Sequence, residues 1–139
     1  MSALAPAIPD DDLTADFWAG AKIGELRIQR CRSCGTFIHL PRPICRVCQS
    51  FDLAWEKVSG LGSIYSFTVT TRAFHPYFVD RLPYVVATIA LDEQPKLHFL
   101  SNIVDTDPDK VRIGQRVRVS FEDRGDYRLP VFVIDEAAS

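Results

Sequence analysis

The chain has 139 residues, of which 24% are charged and 47% hydrophobic. This length is typical of one domain, or of one core domain with a small appended module, and it allows a core large enough to fold without disulfides. The formal net charge of −2 gives the molecule no overall positive field, which argues against nucleic acid as the main partner.

The N-terminal region is predicted to form an arm followed by a short helix. The sequence MSALAPAIPDDD lacks the basic and then apolar segments of a signal peptide, and the chain has no apolar run long enough to cross a bilayer. We therefore expect a soluble, cytoplasmic protein without membrane contact. Residues 1–9 are predicted to be a loose arm, and the acids at 10–12 favour a helix that starts near Leu13.

The predicted helix carries two aromatic residues. Leu13, Phe17 and Ala21 would share one helical face, with Trp18 beside it. We interpret Phe17 and Trp18 as core packing. The alternative is an aromatic contact for another subunit, because aromatic residues are enriched at the centres of interfaces.

Beyond the helix, the sequence changes from short, broken strand patterns to long ones. Residues 25–56 alternate strand-like segments with turns, as two β-hairpin arms would. The five segments that follow are SIYSFTVTT, YVVATIALDE, KLHFLSNIVD, QRVRVSFED and PVFVI. Five strands with a helical turn between the third and fourth predict a Greek-key barrel of the OB type. We predict a mainly β chain with an arm and helix in 1–24, a ribbon in 25–56 and the barrel in 57–139.

Alternation within the barrel strands predicts which residues share a face. Three apolar sets are each assigned to one face of a strand: Tyr65, Phe67 and Val69; Val85, Ala87, Ile89 and Leu91; Val117, Val119 and Phe121. In the last of these strands, Arg116, Arg118 and Ser120 are predicted to point outward.

All four cysteines lie in CRSCGTFIHLPRPICRVC, as two C-x-x-C pairs separated by ten residues. A C-x-x-C turn lets the backbone curl around one ion, and two such turns supply the four thiolates of a tetrahedral zinc site. Gly35, directly after the first pair, tolerates the positive φ that closes such a turn. We predict a structural Zn²⁺, with iron less favoured. Its ligands would be Cys31, Cys34, Cys45 and Cys48.

Other uses of these thiols remain alternatives. A thioredoxin-like pair starts a helix after a strand, whereas each pair here lies between strand-like segments. A rubredoxin-type electron carrier uses the same four thiolates and would show itself by visible colour. Disulfides are out of place in a reducing compartment. We predict His39, between the pairs, to be a surface residue or a neighbour of the ligands, and His98 to be a half-buried strand residue.

The segment TRAFHPYFVDRLPY links two predicted barrel strands and is rich in aromatic residues. It either packs on its own barrel as a lid or contacts a partner or ligand, because exposed aromatic patches usually mark interaction sites. The candidate contact residues are Arg72, Phe74, His75, Tyr77, Phe78 and Arg81. The sequence has no nucleophile beside a base, no paired carboxylates and no Gly-rich phosphate loop. We therefore do not expect catalysis by this chain alone.

The order of these segments resembles the acyl-CoA-associated family that joins a rubredoxin-like zinc ribbon to an OB-fold. The resemblance runs through FWAGAKIGELRIQRCRSCG, PRPICRVCQS, WEKVSGLGSIYSFTV, HPYF, PYVVATIALDE, NIVDTDPDKVRIGQRVRVSFE and LPVF, roughly residues 17 to 132. Arg46 departs from the family, which often has Pro after the third cysteine, but the four cysteines are intact. Some members look to have lost their cysteines, which implies that the metal serves structure there.

The resemblance implies a non-catalytic accessory subunit that a partner enzyme needs for activity. Family members work beside thiolase-like enzymes, such as condensing enzymes, acyltransferases and steroid side-chain aldolases, or beside enoyl-CoA hydratases of the MaoC type. In such complexes the barrel and ribbon dock near the entrance for coenzyme A thioesters. The resemblance thus implies a hetero-oligomer that helps hold an acyl-CoA or carrier-bound acyl group. Arg72 and Arg81 would offer charge to the coenzyme's phosphates.

The competing class is a single-stranded nucleic-acid-binding protein, because OB-folds and zinc ribbons both commonly bind single strands. That function needs basic residues interleaved with aromatic ones along the barrel face. Arg116 and Arg118 are the candidates, on a chain whose net charge is negative.

Overall fold

The chain is mainly strand, arranged as a small three-stranded sheet and a closed five-stranded barrel. The structure is a computed structural model that describes residues 13–73 and 75–135, except for the side chain of Phe78. The predicted arm and the acids at 10–12 lie outside these residues. The elements are α1 (Ala15–Lys22), β1 (Arg27–Cys31), β2 (Phe37–Ile38), β3 (Leu53–Lys57), β4 (Leu61–Thr70), a 3-10 helix (Pro76–Arg81), β5 (Tyr84–Leu91), β6 (His98–Ile103), a second 3-10 helix (Pro108–Lys110), β7 (Arg116–Asp123) and β8 (Arg128–Ile134).

The helix α1 is short, and Gly24 follows its C-terminal cap, Ile23. Gly24 adopts a φ of +83°, and its N–H donates to the Ala21 carbonyl oxygen at 3.1 Å. This left-handed closure suits glycine, which has no Cβ to clash. The prediction that Leu13 shares a helical face with Phe17 and Ala21 was wrong, because Leu13 precedes the helix. Leu13 is 40% exposed, whereas Ala21 is fully buried. In the described residues, no helix is long and apolar enough to cross a membrane.

The three-stranded sheet contains the cysteine segment and has the order β2-β1-β3, with both pairings antiparallel. The hairpin of β1 and β2 confirms one of the two predicted arms. The second arm was wrong, because the described residues form no strand between β2 and β3, and β3 pairs with β1 instead. The strand β2 has only two residues, and the prolines at 41 and 43 follow it closely. Because proline lacks a backbone N–H, it does not continue the hydrogen-bonded ladder.

The barrel has the order β4-β5-β6-β8-β7, and pairing of β4 with β7 closes it. The predicted five strands are confirmed, with a 3-10 turn between the third and fourth of them. The pairing of β6 with β8 closes another side of the barrel and is short. These two strands run parallel and pair at one position, Ile103 with Phe132. Next to this pair, the Ser101 hydroxyl of β6 donates to the Pro130 carbonyl oxygen of β8 at 2.8 Å, and the Val104 N–H donates to that of Phe132 at 2.9 Å.

Burial confirms most of the predicted alternation and corrects one strand. The predicted face of β5 is buried, and Val117 of β7 is fully buried while Arg118 is exposed. In β4 the expected pattern was wrong, because a β-bulge between Ile64 and Ser66 interrupts the pairing with β5. An extra residue at a bulge shifts the alternation. Ile64 is therefore buried and Tyr65 is 58% exposed.

One hydrophobic cluster joins the ribbon and the barrel. Leu26, Ile28 and Phe37 belong to the same buried cluster as Phe132 at the barrel centre, and Phe17 of α1 packs against it. A smaller cluster lies under the cysteines and consists of Cys31, Ile38, Cys45 and the partly buried Leu53. The helix, ribbon and barrel are therefore packed together.

Candidate metal centre and partner surfaces

Two turns of the same design present the cysteines. In the first turn the N–H of Gly35 donates to the Cys31 carbonyl oxygen at 2.9 Å, and in the second the N–H of Gln49 donates to that of Cys45 at 3.0 Å. Gly35 and Gln49 have φ values of +80° and +59°. The first turn thus has the glycine that this backbone favours, and the second holds a non-glycine residue in the same left-handed region.

The four sulfur atoms converge on one point. All four Sγ atoms lie within 4.8 Å of one another, with 3.6 Å between those of Cys31 and Cys48 and 3.7 Å between those of Cys34 and Cys45. A tetrahedral ion with metal–sulfur bonds of about 2.3 Å requires sulfur separations of about 3.8 Å. The separations are too long for a disulfide, whose S–S bond is about 2.05 Å. The four thiols therefore fit a tetrahedral metal and indicate metal binding.

Electrostatics favour an ionised Cys34. Hydrogen bonding by the Thr36 hydroxyl, whose Oγ1 lies 3.1 Å from the Cys34 Sγ, lowers the pKa of Cys34 to about 6, and the Thr36 backbone N–H adds to this effect. Backbone hydrogen bonding from Cys34 likewise lowers the pKa of Cys31. For Cys48, the Ser50 backbone lowers the pKa, but burial and the three neighbouring thiols outweigh it and raise the pKa to about 12. Ionising all four thiols therefore requires a cation among them.

His39 lies at the junction of the ribbon and the barrel. Its ring stacks on Phe99 with centroids 4.8 Å apart, and burial lowers the pKa of His39 to about 4. The prediction of a surface residue or a neighbour of the ligands was wrong, because the chain between the cysteine turns folds back onto α1 and β6. His98, in contrast, is the half-buried strand residue that the sequence predicts, and its ring lies 4.4 Å from that of Tyr65.

The aromatic loop between β4 and β5 contains the first 3-10 helix. Its N-cap residue His75 accepts a hydrogen bond at Nδ1 from the Tyr77 N–H at 3.1 Å. Tyr77 is 9% exposed, with the guanidinium carbons of Arg81 and Arg124 3.8 and 5.2 Å from its ring centroid. Tyr77 therefore anchors the loop on its own barrel.

Other parts of this loop face outward. Arg72 is exposed, and Val79 is 59% exposed. Phe74 and the side chain of Phe78, both predicted contact residues, lie outside the described residues. The loop therefore combines an anchored half with an exposed half, and its role in contacting a partner stays a prediction.

The aromatic residues of α1 are half-buried rather than free. The Phe17 ring lies 5.9 Å from Phe99, and the Trp18 ring meets Tyr127 edge-on at 5.5 Å. Both side chains also line an open groove of about 400 Å³ over the seam between β6 and β8. They pack against the fold, as interpreted from the sequence, and leave one side accessible.

The chain matches two adjoining family models. Residues 18–54 match the "ChsH2, rubredoxin-like zinc ribbon domain" and residues 55–122 match the "ChsH2, C-terminal OB-fold domain". A "DUF35 domain-containing scaffold protein" of Methanothermobacter thermautotrophicus is 38% identical over 93 residues, covering 66% of this chain and 68% of that protein. The chain belongs to the ChsH2 (DUF35) family. The resemblance stated from the sequence is thereby confirmed.

Three relatives of this ChsH2-family chain carry enzyme names in their descriptions. A chain of the structure "Ltp2-ChsH2(DUF35) aldolase" is 37% identical, with a TM-score of 0.81 over 94% of this chain and 98% of that one. The "probable enoyl-CoA hydratase alpha subunit" of Thermomonospora curvata is 40% identical over 129 residues, or 91% of this chain. The "3-oxo-4,17-pregnadiene-20-carboxyl-CoA hydratase alpha subunit" of Mycobacterium tuberculosis is 34% identical over 88% of this chain. This chain spans only 38% of each hydratase subunit.

Sequence reasoning missed several residues of this ChsH2-family surface. The groove is also lined by Tyr84, Leu100 and Asn102, which the sequence assigned only to strands. Leu100 is 68% exposed. An apolar residue at an outward-facing strand position is the sequence signal that could have identified it as part of this surface. Gln94, whose side chain fixes the ribbon to the barrel, has no such signal, because its partner Phe37 is 57 residues away.

Proposed function

We propose that this chain is a non-catalytic accessory subunit of a thiolase-like acyl-CoA enzyme. Such an enzyme would be a condensing enzyme, an acyltransferase or a steroid side-chain aldolase. The chain would stabilise the catalytic subunit and help it to hold an acyl-CoA or carrier-bound acyl group. This role accounts for a small fold whose notable features are four converging cysteines and an aromatic loop that is partly exposed.

The observation that carries this proposal is the match to the Ltp2-ChsH2 aldolase. Nearly all of this chain corresponds to nearly all of one chain of that structure, at 94% and 98% coverage and 37% identity. The name of that structure joins its ChsH2 chain to a second protein, which supports a hetero-oligomer for this chain.

A second candidate is an accessory role in an enoyl-CoA hydratase of the MaoC type. It is favoured by two relatives named hydratase alpha subunits, which match 91% and 88% of this chain. Since this chain spans 38% of each of them, it corresponds to one region of those longer subunits.

We propose zinc as the metal and Cys31, Cys34, Cys45 and Cys48 as its ligands. A closed shell of four thiolates suits a structural zinc ion, and the sulfur separations of 3.6 and 3.7 Å support a tetrahedron. We expect one zinc per chain by elemental analysis and no visible absorption, whereas an iron–thiolate centre would be coloured.

The Cys34→Ser variant tests the ligand assignment. We expect it to release the metal and to unfold the ribbon, because metal binding and folding of such small sites are coupled. The control is Ser33→Ala, whose Oγ lies 2.9 Å from Ser50 Oγ outside the sulfur cluster. A Cys34→Ser protein with full metal content would contradict the assignment.

The exposed half of the aromatic loop is the proposed contact with the partner. Val79→Asp should weaken assembly, because it places a charge on an apolar side chain that is 59% exposed in this loop. Ile113→Asp is the matched control, since Ile113 is 67% exposed in another loop. Arg72→Ala, alone and with Arg81→Ala, should lower the affinity of the complex for its thioester. An unchanged affinity in the double variant would remove the phosphate-binding role.

Two features weigh against the nucleic-acid alternative. Arg116, a candidate phosphate contact, donates both terminal nitrogens to the Asp92 carboxylate, and its Nη1 also lies 3.0 Å from Ser63 Oγ. Its charge is therefore already used within the barrel. Arg118 is exposed but stands on a chain with a net charge of −2.

The experiment that tests the proposed function is affinity purification of the tagged chain from its native cells, with mass spectrometry of proteins recovered in stoichiometric amount. A thiolase-like subunit would support the first proposal and a hydratase-like subunit the second. Recovery of nucleic-acid machinery, or of no partner, would contradict both. Activity of the purified partner should fall when the chain is removed and return when it is added back.

A further inference from the structure

Arg30 of β1 lies beside the first cysteine turn and makes three different contacts there. Its Nε donates to the Gly35 carbonyl oxygen at 2.9 Å, and its Nη1 donates to the Glu56 carboxylate of β3 at 2.8 Å. The guanidinium carbon lies 4.5 Å from the centre of the Phe37 ring. A planar guanidinium offers its donors in a fixed fork, so these contacts together determine its orientation.

The groups that surround Arg30 are themselves fixed by the fold. The Phe37 side chain is 6% exposed, and both polar groups of its backbone bond to the Gln94 side chain of the barrel, at 2.8 and 3.1 Å. Glu56 belongs to β3, which pairs with β1 at five positions. The Arg30 side chain therefore connects the Gly35 carbonyl to the sheet and, through Phe37, to the barrel.

The Gly35 carbonyl belongs to a peptide group that is next to Cys34. This peptide is trans, so its carbonyl and its N–H point to opposite sides of one plane. The N–H is that of Thr36 and hydrogen-bonds to the Cys34 sulfur, and the Thr36 hydroxyl lies 3.1 Å from the same atom. A bond from Arg30 to the carbonyl therefore orients Thr36 toward Cys34, one of the proposed ligands.

The second cysteine turn has no corresponding side chain. In residues 45–50, all within the described part of the chain, no backbone group hydrogen-bonds to a side chain of β1, β3 or the barrel. Gln29 bonds to the backbone of Arg42, before this turn begins. The contact of Ser50 Oγ with Ser33 Oγ, at 2.9 Å, is exposed, and water can replace it. The two turns thus share one backbone design but differ in how they are held.

We propose that Arg30 is a positioning residue of the metal site, which holds the first cysteine turn on the sheet and leaves the second turn as the half that opens when metal leaves. The inference rests on the proposed metal ligands. Groups that orient metal ligands without touching the metal commonly change metal affinity by about 10–100-fold when they are removed. The other explanation for such an effect is charge, because four thiolates around a divalent ion form an anion that any nearby cation stabilises.

The test compares Arg30→Met with Arg32→Met in the metal-loaded, full-length chain. Arg32 is the matched control, because its side chain is 68% exposed and its ion pair with Asp52 is long, at 3.9 Å. Competition with a chromogenic chelator should show a loss of zinc affinity of about tenfold or more in Arg30→Met and the parent's affinity in Arg32→Met. Arg30→Lys keeps the charge without the fork, so it should not restore the affinity.

Hydrogen exchange in the same metal-loaded proteins locates the effect. The Gly35 and Gln49 amides close the two turns by equivalent bonds, at 2.9 and 3.0 Å. In the parent, the Gly35 amide should exchange more slowly than the Gln49 amide. Arg30→Met should accelerate exchange at Gly35, whereas the Val119 amide, which bonds within the barrel at 2.8 Å, should exchange as in the parent.

Several results would overturn the inference. Equal losses of zinc affinity in Arg30→Met and Arg32→Met, or the parent's affinity in Arg30→Lys, would show that charge is the cause. Slower exchange at Gln49 than at Gly35 in the parent would show that the second turn is not the half that opens. Faster exchange at Val119 in Arg30→Met would indicate a general loss of structure.

The outcome also separates this inference from the proposed metal site. The parent's zinc affinity in Arg30→Met would contradict the inference alone. A parent chain that binds no metal would contradict the proposed ligands, and the inference with them. The accessory function is measured by recovery of a partner, so it does not depend on either result.

Discussion

Thr36 shows how one side chain tunes the cysteine cluster. Its hydroxyl lies 3.1 Å from the Cys34 Sγ and is the main cause of a Cys34 pKa of about 6, well below the ordinary value of 9.0. Protons compete with a metal for a thiolate, so a lower thiol pKa lets the metal stay bound to a lower pH.

The Thr36→Val variant should therefore release its metal at higher pH than the parent. Valine preserves the shape of threonine but lacks the hydroxyl, so the pKa of Cys34 should rise toward its ordinary value. The measurement is metal release to a chromogenic chelator between about pH 4 and 7, with Ser33→Ala as the control. Identical release curves for Thr36→Val and the parent would show that the hydroxyl does not act on the site.

His39 should make the folded state sensitive to acid. Burial holds its pKa at about 4 in the fold, against 6.5 for the free side chain, so the unfolded chain binds the additional proton between these values. Stability should therefore fall as the pH decreases from about 6.5 toward 4, by up to about 1.4 kcal/mol per pH unit. Above about pH 7 this contribution is constant.

The variant that tests this expectation is His39→Phe, which keeps an aromatic ring against Phe99 without a titrating group. Urea unfolding at several pH values should show a shallower loss of stability than in the parent. His98→Phe, on the outer side of β6, is the control, and its stability should depend on pH as that of the parent does. If the stability of His39→Phe depended on pH as that of the parent does, groups other than His39 would account for the acid sensitivity.

At the scale of elements, Gln94 joins the ribbon to the barrel. In the turn between β5 and β6, its Oε1 accepts a hydrogen bond from the Phe37 N–H at 2.8 Å and its Nε2 donates to the Phe37 carbonyl oxygen at 3.1 Å. The amide thus pairs with Phe37 as a neighbouring strand would. Gln29 binds the backbone of Arg42 in the same way, at 2.8 Å for both bonds.

Gln94→Ala should lower the free energy of unfolding by about 1–3 kcal/mol, because it leaves the partly buried N–H and carbonyl of Phe37 without their partners. Gln115→Ala is the matched control, since the Gln115 amide bonds only within its own loop, to Arg112 and Lys110. Hydrogen exchange at Phe37 is the local measurement. If the Phe37 amide were equally protected from exchange in Gln94→Ala and the parent, the proposed role of the Gln94 side chain would be contradicted.

At the scale of the whole molecule, the shared core predicts cooperative unfolding. Leu26, Ile28 and Phe37 of the ribbon lie in one cluster with Phe132 of the barrel, which is fully buried. Unfolding of the ribbon would expose apolar surface of the barrel, and the reverse is also true. We therefore expect the two to unfold together. The predicted boundaries at 24/25 and 56/57 remain a prediction about domains.

Phe132→Ala tests this cooperativity. We expect a loss of about 3–5 kcal/mol from the cavity that it leaves. Barrel unfolding by circular dichroism and metal release should shift together to lower urea. Leu100→Ala, which truncates an exposed residue of the same barrel, should change stability by less than about 0.5 kcal/mol. Metal release at a lower urea concentration than barrel unfolding in the parent would show instead that the ribbon unfolds independently.

Features of short range are those that the sequence predicts well. The spacing of Cys31, Cys34, Cys45 and Cys48 identifies a metal site because a C-x-x-C turn depends on adjacent residues. The buried face of β5 follows from alternation for the same reason, since side chains of a strand repeat every two residues. The family resemblance adds the order of these local features.

Features that join distant segments required the folded chain. Tyr65 faces solvent because of a bulge in the pairing of β4 with β5, and His39 is half-buried because the ribbon folds onto Phe99. The hydrogen bonds of Gln94 likewise join residues that are 57 positions apart in the chain. The groove is lined by side chains from the helix, the ribbon and the barrel. A local pattern carries period and spacing, whereas such contacts depend on how all elements pack at once.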